Sequence, residues 1–161
     1  MVQNITRMDE YICGQLFHSS TPIRIERNLN ASADLVWKAL TDLSCLKKWF
    51  FDLDDFQPVP GFRFRFAGKG STGEEYIHHC CVLELVPGKK IAYSWVYENR
   101  EGYSVVSVEL FPDGNQTRLV LTHTGVASFA GNGPDFRTES FTMGWTEIIG
   151  RQLPLFLEAN T

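Results

Sequence analysis

The chain has 161 residues, a length that suits one domain with a sizeable core. Hydrophobic residues make up 43% and charged residues 21% of it, and these proportions exclude a disordered chain or a fibre. The formal net charge of -4 argues against a nucleic-acid partner and against binding to an anionic membrane surface. No apolar run approaches the roughly 20 residues of a membrane span.

Aromatic side chains are unusually frequent, at 13% of the chain, with 12 Phe, 5 Tyr and 4 Trp. This is more flat apolar surface than a core of this size needs. Such a surplus usually lines a cavity or an interface. We therefore expect part of the aromatic surface to face an internal pocket.

The first part of the chain, residues 1–22, reads as a polar, weakly patterned arm that ends at Pro22. It does not have the pattern of a secretory signal, because Asp9 and Glu10 interrupt its apolar stretch. We therefore expect a cytoplasmic protein whose 4 Cys are free thiols. The domain itself is predicted to span 23–159.

Strand and helix signals follow in a clear order. Residues 23–29 alternate apolar and polar, which predicts a half-buried strand. Ser32 is a typical helix N-cap, and two short helices with apolar faces are predicted between it and Trp49. The gaps between the later strands are too short for parallel crossovers, so antiparallel hairpins are expected. These five strands are predicted at 61–66, 75–86, 90–97, 103–111 and 117–124.

The end of the chain changes to helical periodicity after Gly133-Pro134. Pro154 removes a backbone donor within this helix, so we expect a bend near Gly150. Together the elements predict an α+β fold in which a curved antiparallel sheet of about six strands wraps around a long C-terminal helix. The two short helices would close only one end of the sheet and leave a gap. One apolar stripe of the helix would face the sheet: Phe141, Trp145, Ile148, Ile149, Leu153 and Phe156.

Four segments resemble the START-like, or SRPBCC, superfamily. Residues 31–42 (ASADLVWKALTD), followed by Trp49-Phe50, are similar to its opening helix signature. Residues 86–95 and 117–123, with Gly144-Trp145, resemble the branch related to the C-terminal domain of the heat-shock-protein-90 ATPase activator. The resemblance covers roughly residues 23 to 158 and implies a helix-grip fold with an internal pocket. It implies no shared catalytic set, since members include ligand carriers, polyketide cyclases and aromatases.

Three motifs could suggest a cofactor or a metal, and each is weak on physical grounds. Residues 68–73 (GKGSTG) fit G-x-G-x-x-G, yet a strand follows them instead of a helix, which favours a hairpin loop. Residues 78–81 (HHCC) offer two ligands on each face of a strand, whereas a structural zinc site needs four. The acidic loop 52–55 lacks the glycine and the distal Glu of a calcium loop. We therefore predict no metal site and no cofactor.

Strand parity and the helix stripe predict which side chains point inward. Parity on the strand 75–86 is ambiguous, and its more apolar set, Ile77, His79, Cys81, Leu83 and Leu85, is placed inside. Most inward residues are expected to be plain core. The predicted ligand pocket consists of Trp49, Phe62, Phe64, Phe66, His79, Cys81, Tyr93, Trp95, Val108, Leu121, His123, Phe141, Trp145 and Ile149.

Three functions from different classes stay open, and the residues favour binding over catalysis. The first is a carrier or sensor for a small apolar ligand, aromatic ones included. The second is a cyclase or isomerase acting on aromatic or polyketide-like substrates, with His79, His123 or Tyr93 as acid or base. The third is a co-chaperone-like interaction protein. No nucleophile or other catalytic set is recognisable, and a homodimer is left open as a partner.

Overall fold

The computed structural model describes residues 21–160, so the predicted arm 1–22 lies almost wholly outside the described residues. Between 21 and 160 the chain forms one antiparallel sheet of six strands in the spatial order β1-β6-β5-β4-β3-β2. This confirms the predicted α+β fold. The strands are β1 Ile23–Leu29, β2 Arg63–Lys69, β3 Glu75–Val86, β4 Lys90–Tyr97, β5 Ser104–Asp113 and β6 Gln116–Thr124.

Two short helices, α1 (Ala33–Thr41) and α2 (Leu43–Trp49), follow β1. The Ser32 side chain accepts a hydrogen bond from the Leu35 amide at 3.3 Å, which confirms the predicted N-cap. The Trp49 indole Nε1–H donates to the Ala39 carbonyl at 2.8 Å and ties the two helices together. Their buried faces cover one end of the inner face of the sheet.

The C-terminal helix is continuous but changes its winding. It consists of α3 (Thr138–Glu147), a π-helical turn (Ile148–Gln152) and α4 (Leu153–Ala159). The Leu153 amide bonds to the Ile148 carbonyl, five residues back, which is the π-helical pattern. A wider, π-helical turn therefore contains Gly150, where the sequence predicts a bend, and it directly precedes the segment with Pro154. Two 3₁₀ segments, Val126–Asn132 and Pro134–Phe136, precede α3.

The parity predicted for β3 is wrong over the first part of the strand. His78 and Cys80 are buried, whereas His79 and Cys81 lie on the outer face. The pairing with β2 explains this, because Phe66 pairs with His78, and residues directly opposite on neighbouring strands share a face. A bulge at Leu83 then inverts the parity, since the register shifts between Val82 and Glu84.

The second part of β3 follows the other parity for the same reason. Beyond the bulge Leu85 pairs with the buried Ile91 and packs against the core. Val82, before the bulge, pairs with Tyr93 and is also buried. The more apolar set of alternate residues on β3 therefore points inward only at the end of the strand near Leu85.

Candidate functional site

Most of the predicted pocket residues are packed core. The space between Trp49, Tyr93, Val108, Leu121 and Ile149 amounts to a void of about 20 Å³. A void of this size holds at most one water molecule. The ligand-sized enclosed cavity expected beneath this part of the sheet is therefore absent from the described residues, because the side chains of α1 and α2 fill it.

A cleft of about 320 Å³ lies at the other end of the inner face, between β2–β4 and α3. Three predicted pocket residues, Trp95, Phe141 and Trp145, reach this cleft. Phe66 is buried against His78 of the cleft wall, Phe64 is buried further towards the filled end, and Phe62 is partly buried against the core. The aromatic walls of the cleft come from Phe51, His78, Trp95, Tyr97, Phe136, Phe141 and Trp145.

The position of Gly144 explains why the cleft is there. Gly144 lies on the same face of the C-terminal helix as Phe141, Trp145 and Ile148, and all four residues line the cleft. A Cβ atom at this position would meet nothing within 4 Å apart from its chain neighbours and the backbone of its own helix. The missing side chain therefore leaves open space over the aromatic wall.

His78 forms part of the cleft wall, and sequence reasoning placed it on the wrong face. Its imidazole stacks on Phe66 with 4.4 Å between ring centroids and meets the Trp95 ring edge-on at 5.0 Å. Its Nδ1 lies 3.3 Å from the Phe66 carbonyl, so this nitrogen carries the proton that the carbonyl accepts. Burial lowers the pKa of His78 to about 4, and the ring is neutral at physiological pH.

His123 is fully buried and belongs to a complete hydrogen-bond chain behind the cleft. The Trp145 Nε1–H donates to His123 Nδ1 at 2.9 Å, so Nε2 carries the ring proton and faces Ser104 Oγ at 2.8 Å. The Ser104 hydroxyl in turn donates to the Trp95 carbonyl at 2.7 Å. Burial lowers the pKa of His123 to about 3. Its inward position is confirmed, but both ring nitrogens are already used in holding the core together.

His79 and Cys81, predicted to line the pocket, face away from the cleft. His79 Nε2 lies 3.0 Å from Glu98 Oε1 on the outer face of the sheet.

Residues 21–160 contain no group of three or more His, Cys, Asp or Glu side chains placed to hold a metal ion. None of the helices in that range is long and apolar enough to cross a membrane.

The rim of the cleft is polar. On one side it consists of the end of β2 and the hairpin that follows, at Lys69, Gly70 and Ser71; on the other it is formed by α3, where Met143 is 72% exposed. Asp135, from the second 3₁₀ segment, lies between them. Hydrogen bonds from Ser71 and Tyr76 lower the pKa of the Asp135 carboxyl, which is ionised at neutral pH.

Sequence reasoning missed His78, Tyr97 and Gly144 as cleft residues. Tyr97 has the same strand parity as Tyr93 and Trp95, so this signal was present in the sequence. Gly144 could also have been found, because it interrupts the apolar stripe of the C-terminal helix. His78 had no such signal, because its orientation depends on the pairing of β3 with β2.

Both a protein family and solved structures are similar to this chain. The model of the family described as Activator of Hsp90 ATPase homolog 1-like protein matches residues 30–158. No curated protein matches the sequence of the chain.

Solved structures share the fold over most of the chain. Protein MLL2253 from Mesorhizobium loti is 25% identical, with 87% of this chain and 98% of that one covered and a TM-score of 0.70. CalU16 from Micromonospora echinospora is also 25% identical, with coverages of 86% and 77% and a TM-score of 0.65. DynU16, described as a protein in the dynemicin biosynthetic locus, is 20% identical. The match covers 88% of this chain and 49% of DynU16, with a TM-score of 0.70.

Proposed function

This chain belongs to the Activator of Hsp90 ATPase homolog 1-like family, as its motifs predict. From that premise we propose that it binds a small apolar ligand that carries an aromatic ring. The binding site is the cleft between β2–β4 and α3. The observation that carries this proposal is the aromatic wall left uncovered where Gly144 lacks a side chain. The proposed role is that of a carrier or sensor.

The size and chemistry of the cleft suit such a ligand. A volume of about 320 Å³ lies near the lower end of the roughly 300–1,000 Å³ typical of small-molecule sites. Phe51, Trp95 and Trp145 offer ring faces and edges for stacked or edge-on contacts. The polar rim at Lys69 and Ser71 lies where a ligand's polar group would meet water.

The arrangement of the candidate acids and bases favours binding over catalysis. His79 lies on the outer face, and His123 is enclosed by Trp145 and Ser104. Tyr93 packs at the filled end of the sheet, where burial raises the pKa of its hydroxyl well above the usual range. The three groups considered for a cyclase or isomerase thus lie outside the cleft. The co-chaperone-like alternative rests on the family match over residues 30–158, whereas the cleft favours a small ligand.

The proposal is tested with N-phenyl-1-naphthylamine, a neutral apolar probe that fluoresces more strongly in an apolar site. We expect saturable binding to the wild-type chain and energy transfer from tryptophan to the probe. Gly144→Leu places an aliphatic side chain in the cleft, and we expect it to weaken binding by at least about tenfold. Absence of binding to the wild type, or unchanged binding to Gly144→Leu, would refute the proposal.

Gly144→Ala is the matched control for this substitution. It adds a methyl group that meets nothing within 4 Å apart from its chain neighbours and the backbone of its own helix, so the cleft keeps nearly all of its volume. We expect it to bind the probe as the wild type does. It should also raise the free energy of unfolding by about 0.5–1 kcal/mol, because alanine replaces glycine inside a helix. Urea unfolding measures this gain.

A further inference from the structure

We propose that the tip of the β2–β3 hairpin, residues 70–74, is a movable flap over the cleft, and that Asp135 holds it closed. The flap rests on the proposed function above, because it controls access to the same site. We call the contacts between Asp135 and the hairpin the Asp135 clasp. Ligand entry and release would then require the clasp to open.

The clasp joins the flap to the segment that leads into α3. Asp135 Oδ1 accepts hydrogen bonds from the Ser71 amide at 3.2 Å and the Ser71 hydroxyl at 2.7 Å. Asp135 Oδ2 accepts one from the Tyr76 hydroxyl at 2.8 Å. Both carboxylate oxygens therefore hold the hairpin, and charge-assisted bonds of this kind are stronger than neutral ones. The clasp closes one side of the rim.

Gly70 is part of the clasp because the carboxylate needs the space that a side chain would fill. A Cβ atom at this position would overlap the Asp135 carboxylate and lie 2.6 Å from Tyr76 Cε2. Any residue other than glycine would force Asp135 or the flap to move. The two sides of the clasp can therefore be broken independently, by removing the carboxylate or by adding a methyl group.

The clasp contributes to the closed position together with the polar contacts of Glu74, because the flap has no apolar side chain to bury. Its residues are Gly, Ser, Thr, Gly and Glu, with no apolar side chain to bury. Its turn has two backbone hydrogen bonds, between Gly70 and Glu74 and between Gly73 and Gly70. Segments with few buried apolar contacts and exposed hydrogen bonds open locally without global unfolding.

The base of the same hairpin is firmly packed, which confines the motion to the tip. Phe64 and Phe66 are buried, and Phe66 stacks on His78. Arg100 adds a second polar contact to the tip, since its guanidinium pairs with Glu74 at 2.8 Å and lies over the Tyr76 ring at 4.7 Å from the centroid. The structure thus has a rigid wall and a polar, separately held flap.

Stopped-flow fluorescence with N-phenyl-1-naphthylamine tests the flap in the full chain. Asp135→Ala and Gly70→Ala should each raise both the association and the dissociation rate constants by about tenfold, since each removes a charge-assisted clasp. The dissociation constant should change much less than either rate. Thr72→Ala is the control, because this exposed residue of the flap makes no side-chain hydrogen bond within residues 21–160. Unchanged rates in both clasp variants would overturn the flap.

Hydrogen exchange decides the same question without a ligand. The Ser71 amide should exchange faster than amides at the centre of β3 in the wild type, and about tenfold faster again in Asp135→Ala. Equal exchange of Ser71 in wild type and Asp135→Ala would overturn the flap. If the wild type fails to bind the probe, the proposed function is rejected, whereas the exchange result still decides whether Asp135 holds the hairpin.

Discussion

The two ends of the inner sheet face differ in how they are covered, although the same helix crosses both. At one end α1 and α2 add Leu40, Leu46 and Trp49 over the sheet, and a void of only about 20 Å³ remains. At the other end the short helices do not reach. The 3₁₀ segments and α3 cover it incompletely and leave a cleft of about 320 Å³. The open space in this chain therefore lies where a covering element is missing.

The aromatic surplus is distributed according to the same difference. Ring contacts run without a break from Phe56 and Phe64 at the filled end to Phe136 at the cleft. The rings between them are Phe66, Trp95, His78 and Tyr97. Most of these rings pack on one another and are not free to meet a ligand. Most of the aromatic side chains thus form packed core, and only part of their surface faces the cleft.

Trp145→Ala should have the largest effect, because this ring belongs to both ends. The side chain is 3% exposed and borders both the void and the cleft. Its removal leaves a large cavity and takes the donor away from His123 Nδ1. We expect a loss of about 3–5 kcal/mol in the free energy of unfolding, measured by urea denaturation.

Trp145→Phe separates the two contributions. It keeps most of the apolar surface and removes the Nε1–H donor, so its cost should be clearly smaller than that of alanine. A change within error for Trp145→Ala would contradict the central position assigned to this ring.

Ile149→Ala and Ile148→Ala compare the filled end with the cleft end at adjacent residues. Ile149 is 1% exposed and borders the void, whereas Ile148 is partly exposed and borders the cleft. We expect Ile149→Ala to cost about 2–5 kcal/mol, because the packed end cannot fill the space that it leaves. Ile148→Ala should cost less than half as much, since its side chain already faces open space. Equal losses in urea unfolding would mean that the two ends are packed alike.

The sequence predicted the framework well because its signals are local. Alternation through Phe62, Phe64 and Phe66, short gaps between strands, and the Ser32 cap each depend on neighbours a few residues away. The prediction that the short helices close only one end is also confirmed, because they line the void at the filled end and contribute no residue to the cleft. These features define the sheet and the helix that crosses it.

The site was harder to predict because it depends on distant partners. The orientation of His79 depended on strand pairing and on a bulge at Leu83 that no local pattern reveals. The role of His123 depends on Ser104 and Trp145, which lie 19 and 22 residues away in the chain. The volume of a pocket depends on how the rings pack against the curved sheet. The sequence alone therefore could not show whether the inward residues enclose a cavity or form packed core.

The last prediction concerns pH and compares His78 of the cleft wall with the fully buried His123. Burial lowers the pKa of His78 to about 4 and that of His123 to about 3, so both rings are neutral in the folded chain. In the unfolded chain they take up protons below the ordinary histidine pKa of about 6.5. The free energy of unfolding should therefore fall as the pH falls from about 6.5 to 5. Each ring contributes up to about 1.4 kcal/mol per pH unit.

Urea unfolding between pH 7 and 5 measures this slope, in a range where ordinary carboxylates stay ionised. His123→Gln removes one of the two rings, so its slope should be smaller by up to about 1.4 kcal/mol per pH unit, even if the variant is less stable throughout. Nuclear magnetic resonance of the folded chain follows each ring separately, and both His78 and His123 should titrate well below pH 6.5. If either ring titrates near pH 6.5, it is more accessible to water than the packing around Trp95 and Trp145 allows.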